Sequence, residues 1–167
     1  MIIKHKVFTD GSTYGNCRKN KYAKGGIGVY FGKNDKRNLG VPFLLEPITN
    51  NRCEIFAVIR AIEQFINSID LKRKYELKIY SDSMYVINSI TKWIYKWHKN
   101  NWKTIQGKPV KNKDLLEWLY KLMKIYETNI KYEFEHVKAH TIEIKNYKSY
   151  GNMMADKLAK KGMKLSC

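Results

Sequence analysis

Four carboxylates stand where the chain could bring them together: Asp10, Glu54, Asp82 and Asp156. Asp10 closes the β-prone run Lys6-Val7-Phe8-Thr9 and is followed by Gly11-Ser12, which reads as a turn. Asp82 closes a second such run, Ile79-Tyr80-Ser81. Glu54 and Asp156 fall in the opening turns of two amphipathic helical patterns. Each has a purely structural account as well. Asn51 and Glu54 are spaced like a capping box, Asp82 or Ser83 suits a helix N-cap, and a helix dipole favours an acid such as Asp156 in its first turns. Taken together, acids at strand ends and helix starts converge on one edge of an α/β sheet, where ligands commonly bind. A carboxylate cluster without Cys or His suits a hard cation such as Mg²⁺, which prefers oxygen ligands and keeps several waters. Two such ions about 3.5–4 Å apart can clamp the attacking and leaving oxygens of a phosphodiester displacement.

The elements that must position these acids are legible in outline. Residues 1–50 read as three strands with short connections: the run ending at Asp10, Gly25–Gly32 and Val41–Leu45. The basic polar loop Tyr14–Lys21 follows the first. From 51 to 69 the period changes to that of a helix, with Ile55, Val58, Ile59, Ile62, Phe65, Ile66 and Ile69 on one face and Thr49-Asn50-Asn51 as capping residues. Tyr75–Ser81 is a strand, Met84–Trp97 a helix and Asp114–Tyr126 an amphipathic helix through Leu115, Leu119, Leu122 and Met123. Lys131–Val137 alternates as a strand. Ala139–Tyr150 is polar and reads as a loop, and a last helix begins near Gly151. The order βββαβααβα shows no repeat and no linker, so residues 1–167 read as one domain.

Charge narrows the partner. The chain carries 32 Lys and Arg against 15 Asp and Glu, a formal net charge of +17, with 44% hydrophobic residues. That balance describes a globular protein attracted to polyanions, nucleic acid ahead of an anionic membrane surface. The stretch Lys92–Lys103 interleaves Trp93, Trp97 and Trp102 with Lys96, Lys99 and Lys103, as stacking combined with phosphate contact would require; a tryptophan-anchored helix ringed by snorkelling lysines is the structural alternative. Cys17, Cys53 and Cys167 form neither a disulfide framework nor a zinc spacing. No apolar leader or bilayer-length segment is present, and the expectation is a soluble intracellular protein of a reducing compartment.

The motifs Phe8-Thr9-Asp10-Gly11-Ser12, Thr49-Asn50-Asn51-Arg52-Cys53-Glu54, Ser81-Asp82-Ser83-Met84-Tyr85, Trp93 through Thr104 with Lys108-Pro109-Val110, His136-Val137-Lys138-Ala139-His140, and Gly151-Asn152 with Ala155-Asp156 occur in this order along nearly the whole chain. In this it resembles type 1 ribonuclease H. The resemblance implies the ribonuclease H-like α/β fold: a five-stranded mixed sheet, three strands antiparallel and two parallel, flanked by helices. It implies a metal site of Asp10, Glu54, Asp82 and Asp156 holding two Mg²⁺ ions, with Mn²⁺ as a substitute. The implied activity is hydrolysis of the RNA strand of RNA–DNA hybrids to 5′-phosphate and 3′-hydroxyl ends, by a monomer. His140 matches the histidine beside the metals. Tyr85, Trp93 and Trp97 match the DNA-strand channel and basic protrusion, Thr49 and Asn112 a DNA-phosphate pocket, and Asn16, Asn50, Asn51 and Met84 positions near the RNA or the minor groove.

The chain also departs from the pattern. Pro47 stands where some relatives place an arginine of the phosphate pocket, and Ala139 replaces a glycine before His140. The stretch from His140 to Asn152 is longer and carries Lys145 and Lys148, and no room remains for a separate hybrid-binding domain. Two other readings use the same motifs: a nuclease domain related to reverse transcriptases, and a non-catalytic hybrid-binding module. The module would have no use for four carboxylates that repel nucleic acid unless a metal is bound.

Overall fold

Five strands form one mixed sheet in the order β3-β2-β1-β4-β5. The computed structural model describes residues 1–15, 23–139 and 146–166. β1 (Ile2–Tyr14), β2 (Lys24–Tyr30) and β3 (Leu39–Phe43) run antiparallel, whereas β4 (Lys74–Ser81) joins β1 in parallel and β5 (Ile130–His136) joins β4 in parallel. This is the mixed sheet that the resemblance implied. β1 at the centre alternates cleanly, sending Val7 into the larger core and Phe8 into a smaller one on the opposite face.

α1 (Asn50–Ile66) covers the first face, packing Ile55, Val58, Ile59, Ile62 and Phe65 into the larger core together with Leu115, Leu116 and Leu119 of α4 (Lys113–Tyr126). α5 (Tyr147–Lys164) crosses the other face through Ala155, over Phe8, Tyr30 and Tyr80. Its seat is unusually close. Gly28 on β2 lies under α5, and a Cβ there would collide with the Ala155 carbonyl oxygen and lie 2.6 Å from the Ala159 nitrogen.

Between β4 and α4 the chain forms α2 (Met84–Asn88), a π-helical turn (Ser89–Trp93) and α3 (Ile94–Lys99). The single helix expected over Met84–Trp97 is therefore interrupted, then prolonged to Lys99. One extra residue in a turn leaves the apolar face continuous enough for Val86, Ile90 and Ile94 all to be buried. No helix among the described residues is long and apolar enough to cross a membrane.

Candidate active site

Asp10 does not end its strand. β1 continues to Tyr14, and Asp10 pairs with Gly28 of β2 inside the ladder. The Asp-Gly pair predicted to turn the chain has another purpose: a Cβ on Gly11 would lie 2.7 Å from the Glu54 nitrogen and 2.8 Å from the Cys53 Cβ. Glycine lets α1 approach β1 at the level of the two acids. The capping reading of Glu54 also fails, because Thr49 is the N-cap of α1 and accepts from the Arg52 N–H at 3.3 Å. Glu54 lies a turn further on, only 3% exposed. Asp82 follows β4, while Ser83 caps α2 by accepting from the Val86 N–H at 3.3 Å. The N-caps of the two helices are therefore Thr49 and Ser83.

One carboxylate oxygen from each of Asp10, Glu54 and Asp82 lies within 4.8 Å of the others. Burial, then the charge of Asp82, pushes the Asp10 carboxyl up to about 8, against the hydrogen bonds it receives from Glu54 and the Gly11 N–H. Burial likewise raises Glu54 well above the carboxylate range, with Asp10 and Asp82 adding to it. Glu54 Oε2 is buried and has no hydrogen-bond partner. Crowded oxygens, suppressed ionisation and an orphaned acceptor fit a divalent cation, which would supply the charge the site lacks.

Asp156 stands apart from that triad. It lies in the third turn of α5, because Asn146 starts the helix upstream by accepting from the Lys148 and Ser149 N–H groups at 3.0 Å. The helix expected to begin near Gly151 therefore begins at Tyr147, and the first-turn dipole account of Asp156 does not apply. Its charge nevertheless raises Asp10, and its Oδ2 accepts from Lys160 Nζ at 2.7 Å. Asn152, one turn earlier, donates through Nδ2 to Asp82 Oδ2 at 3.3 Å. The sequence reading assigned this residue no role, although an asparagine four positions before an acid shares its helix face. His140 and Asn16 lie outside the described residues.

Beside the acids, the start of α1 meets the start of α4. Asn112, with φ of 61°, precedes α4 and donates through Nδ2 to Tyr85 Oη at 3.0 Å. The Thr49 hydroxyl, Asn50 and Asn51 open α1. Arg52 binds both oxygens of Asp114 at 2.7 Å and reaches the Glu46 carbonyl at 3.4 Å, joining the two helices. Arg52 is only 3% exposed, its guanidinium committed to these contacts. Met84 is exposed at the first turn of α2.

The tryptophans of the basic stretch divide between the two readings. Trp102 is a buried anchor, with its N–H on the Trp97 carbonyl at 2.7 Å and its own carbonyl accepting from Val110 at 3.0 Å. His98 stacks on Tyr120 of α4 with centroids 4.2 Å apart, which fixes the base of the protrusion. Trp93 is exposed and Trp97 half-buried against the larger core, their rings 5.7 Å apart, with Lys96, Lys99 and Lys103 exposed around them.

Comparison with known proteins agrees with this arrangement. A sequence model of the RNase H family matches residues 4–164. A protein of Schizosaccharomyces pombe named Ribonuclease H is 41% identical over 156 residues, covering 93% of this chain and 52% of its own length. Ribonuclease HI of Pasteurella multocida is 39% identical over 158 residues, 94% of this chain and 88% of its own. The chain thus spans about half the length of the fission-yeast relative and most of the bacterial one. The structure of a foamy viral protease-reverse transcriptase in complex with RNA/DNA hybrid shares the fold, with a TM-score of 0.71 and 22% identity over 95% of this chain and 20% of that one. With the family model spanning nearly every residue, and bacterial relatives matched along most of their length, the chain belongs to the ribonuclease H family as a type 1 ribonuclease H.

Proposed function

We propose that this protein is an endonuclease that hydrolyses the RNA strand of RNA–DNA hybrids with two Mg²⁺ ions, leaving 5′-phosphate and 3′-hydroxyl ends. The observation that carries this reading is the cluster of three buried or half-buried carboxylates within 4.8 Å on a chain of net charge +17. Such a pocket repels a phosphodiester until cations neutralise it. Asp10, Glu54 and Asp82 would hold the metal, with Asp156 joining them from α5 by exchanging Lys160 for a cation. A divalent cation held there would supply Lewis-acid stabilisation of the phosphoryl oxygens and make an attacking water more acidic.

The chain's own groups do the rest. The Thr49 hydroxyl and the Asn112 amide bind a phosphate of the DNA strand. Tyr85 and Trp97 present ring faces to the neighbouring sugars, and the Tyr85–Asn112 hydrogen bond keeps these two groups in register. Asn16, Asn50, Asn51 and Met84 face the minor groove, where amides can meet the 2′-hydroxyls that mark RNA. Trp93 and the lysines of the protrusion grip the backbone, so affinity depends on salt and little on sequence. His140 moves a proton at the departing group. In support, the foamy viral neighbour was captured on an RNA/DNA hybrid.

The test is cleavage of end-labelled substrates by the purified chain: hybrid, RNA duplex, DNA duplex and DNA with a single ribonucleotide, each with Mg²⁺ and with chelator. The expected result is metal-dependent cutting of the hybrid's RNA strand with 3′-hydroxyl products. An intact hybrid in both Mg²⁺ and Mn²⁺ would overturn the proposal.

A further inference from the structure

Asn152 is buried to 6% exposure on α5, donates to a metal-site carboxylate, and leaves its own carbonyl oxygen buried without a hydrogen-bond partner. An unpaired buried acceptor of this kind destabilises a protein by about 1–3 kcal/mol. Helix packing alone gives no reason for an amide here, since the neighbouring α5 positions that meet the sheet are Gly151, Ala155 and Ala159.

We propose that Asn152 is a positioning residue of the cation site. Its N–H orients the Asp82 carboxylate, and its carbonyl oxygen accepts from water that accompanies the cation. The inference rests on the metal-dependent reading above.

Three features support it. The first is that the backbone around Asp82 is held in place next to the carboxylate that Asn152 meets. The Ser83 N–H donates to Ser81 Oγ at 3.1 Å, and a His136 ring nitrogen lies 3.1 Å from the Asp82 carbonyl oxygen. A second is the rigidity of the helix that carries Asn152. Asn146 caps it, Tyr147 Oη meets Tyr80 Oη at 3.2 Å, Lys148 pairs with Glu135, and Gly28 receives it without an intervening side chain. Such a support holds the backbone from which the amide reaches Asp82. The third is the company of the orphaned oxygen. Glu54 Oε2 is also buried and unpartnered, so two acceptors within one acidic site lack donors at once. Mg²⁺ retains several waters, each with protons to donate, and a hydrated cation would meet both needs. Groups that orient ligands in this way typically contribute about 10–100-fold to metal affinity or activity.

The experiment is Mg²⁺ titration of the free protein by calorimetry, in wild type and Asn152→Ala, with no nucleic acid present. Cleavage is then followed against Mg²⁺ concentration, and hybrid binding is measured in chelator. The Mg²⁺ dissociation constant should rise by about 10–100-fold in the variant. The Mg²⁺ concentration for half-maximal cleavage should rise in step and the rate should recover at high Mg²⁺, while hybrid affinity in chelator stays at the wild-type level. A merely structural role would lower the melting temperature and leave the cation affinity of the folded protein unchanged, and that result would overturn the proposal. Asn152→Ser keeps a small polar side chain should the alanine variant not fold; failure of both to fold in saturating Mg²⁺ would assign the residue to stability and end the proposal. Because the titration needs no substrate, a wild-type protein that binds Mg²⁺ but spares the hybrid would refute the proposed activity alone.

Discussion

Removing the carboxylate of Asp114 tests how the two substrate-facing helix starts are held together. The Arg52–Asp114 pair is lopsided: the arginine side chain is 4% exposed and the aspartate 61%. Ion pairs open to water contribute about 0–1 kcal/mol, and breaking a fully buried pair costs about 3–5 kcal/mol. Asp114→Ala removes the exposed member and strands the buried one, whose Nε already lacks a partner. Solvent reaching the vacated side discounts the buried figure, and we expect a loss of about 2–3 kcal/mol. For a chain of this size that corresponds to about 4–12 °C in melting temperature. The two Arg52 hydrogen bonds hold the Asp114 carboxyl below the usual range. The pair's contribution is therefore complete above the unfolded carboxyl pKa of about 3.9 and disappears as pH falls through the lower folded value. Thermal melts in chelator should show wild type and variant separated at pH 7 and converging in acid. Hybrid cleavage should show a raised KM, since Asn112 is two residues away. A melting shift within about 2 °C at pH 7 would mean the pair behaves as a surface pair and refute the reasoning.

The remaining expectations concern the site and the protrusion. With Asp10 pushed up to about 8, the folded chelated protein holds a proton that the unfolded chain has lost. Its stability should fall as pH rises from about 4 to about 8, and Mg²⁺ should stabilise it most at the upper end; melts of Asp10→Asn should show a shallower slope, the remainder coming from Glu54, and the variant should not cleave. Neutralising Lys96, Lys99 and Lys103 together should raise KM and flatten the salt dependence of binding by about 0.9 log units per log unit of salt for each duplex phosphate that the variant no longer neutralises. An unchanged slope would return these lysines to the solvated surface. His140→Ala should lower kcat by about 10²–10⁴-fold or less with little change in KM, read by single-turnover cleavage across pH.

The helices and strands were legible wherever burial imposes a period. The α1 face from Ile55 to Phe65 and the alternation of β5 needed no structure. The site was legible as a set of residues, less so as geometry. Gly11 looked like a turn because Asp-Gly usually is one, and only the proximity of α1 reveals that its missing side chain matters. Asp156 looked like a first-turn acid because the cap that begins α5, Asn146, sits in a polar stretch resembling a loop. The three tryptophans could not be sorted from sequence either, since Trp102 packs by Tyr120 of α4, which belongs to another element. Asn152 belonged to the Gly151-Asn152 motif but received no role, because its partner Asp82 comes from another element.

Gly11 and Gly28 also fix where error can enter the site. Each lets a helix backbone rest directly on the sheet, α1 on one face and α5 on the other, within one residue pair of Asp10. The strand pair serves as a common datum, and positions of acids far apart in the chain are both measured from it. Deviations in the intervening segments therefore do not accumulate at the cluster. Connecting segments can lengthen, shorten or change composition while Glu54 and Asp156 keep their heights above the sheet. A single methyl group at either glycine would instead shift one carboxylate relative to the others, with no side chain between to absorb it.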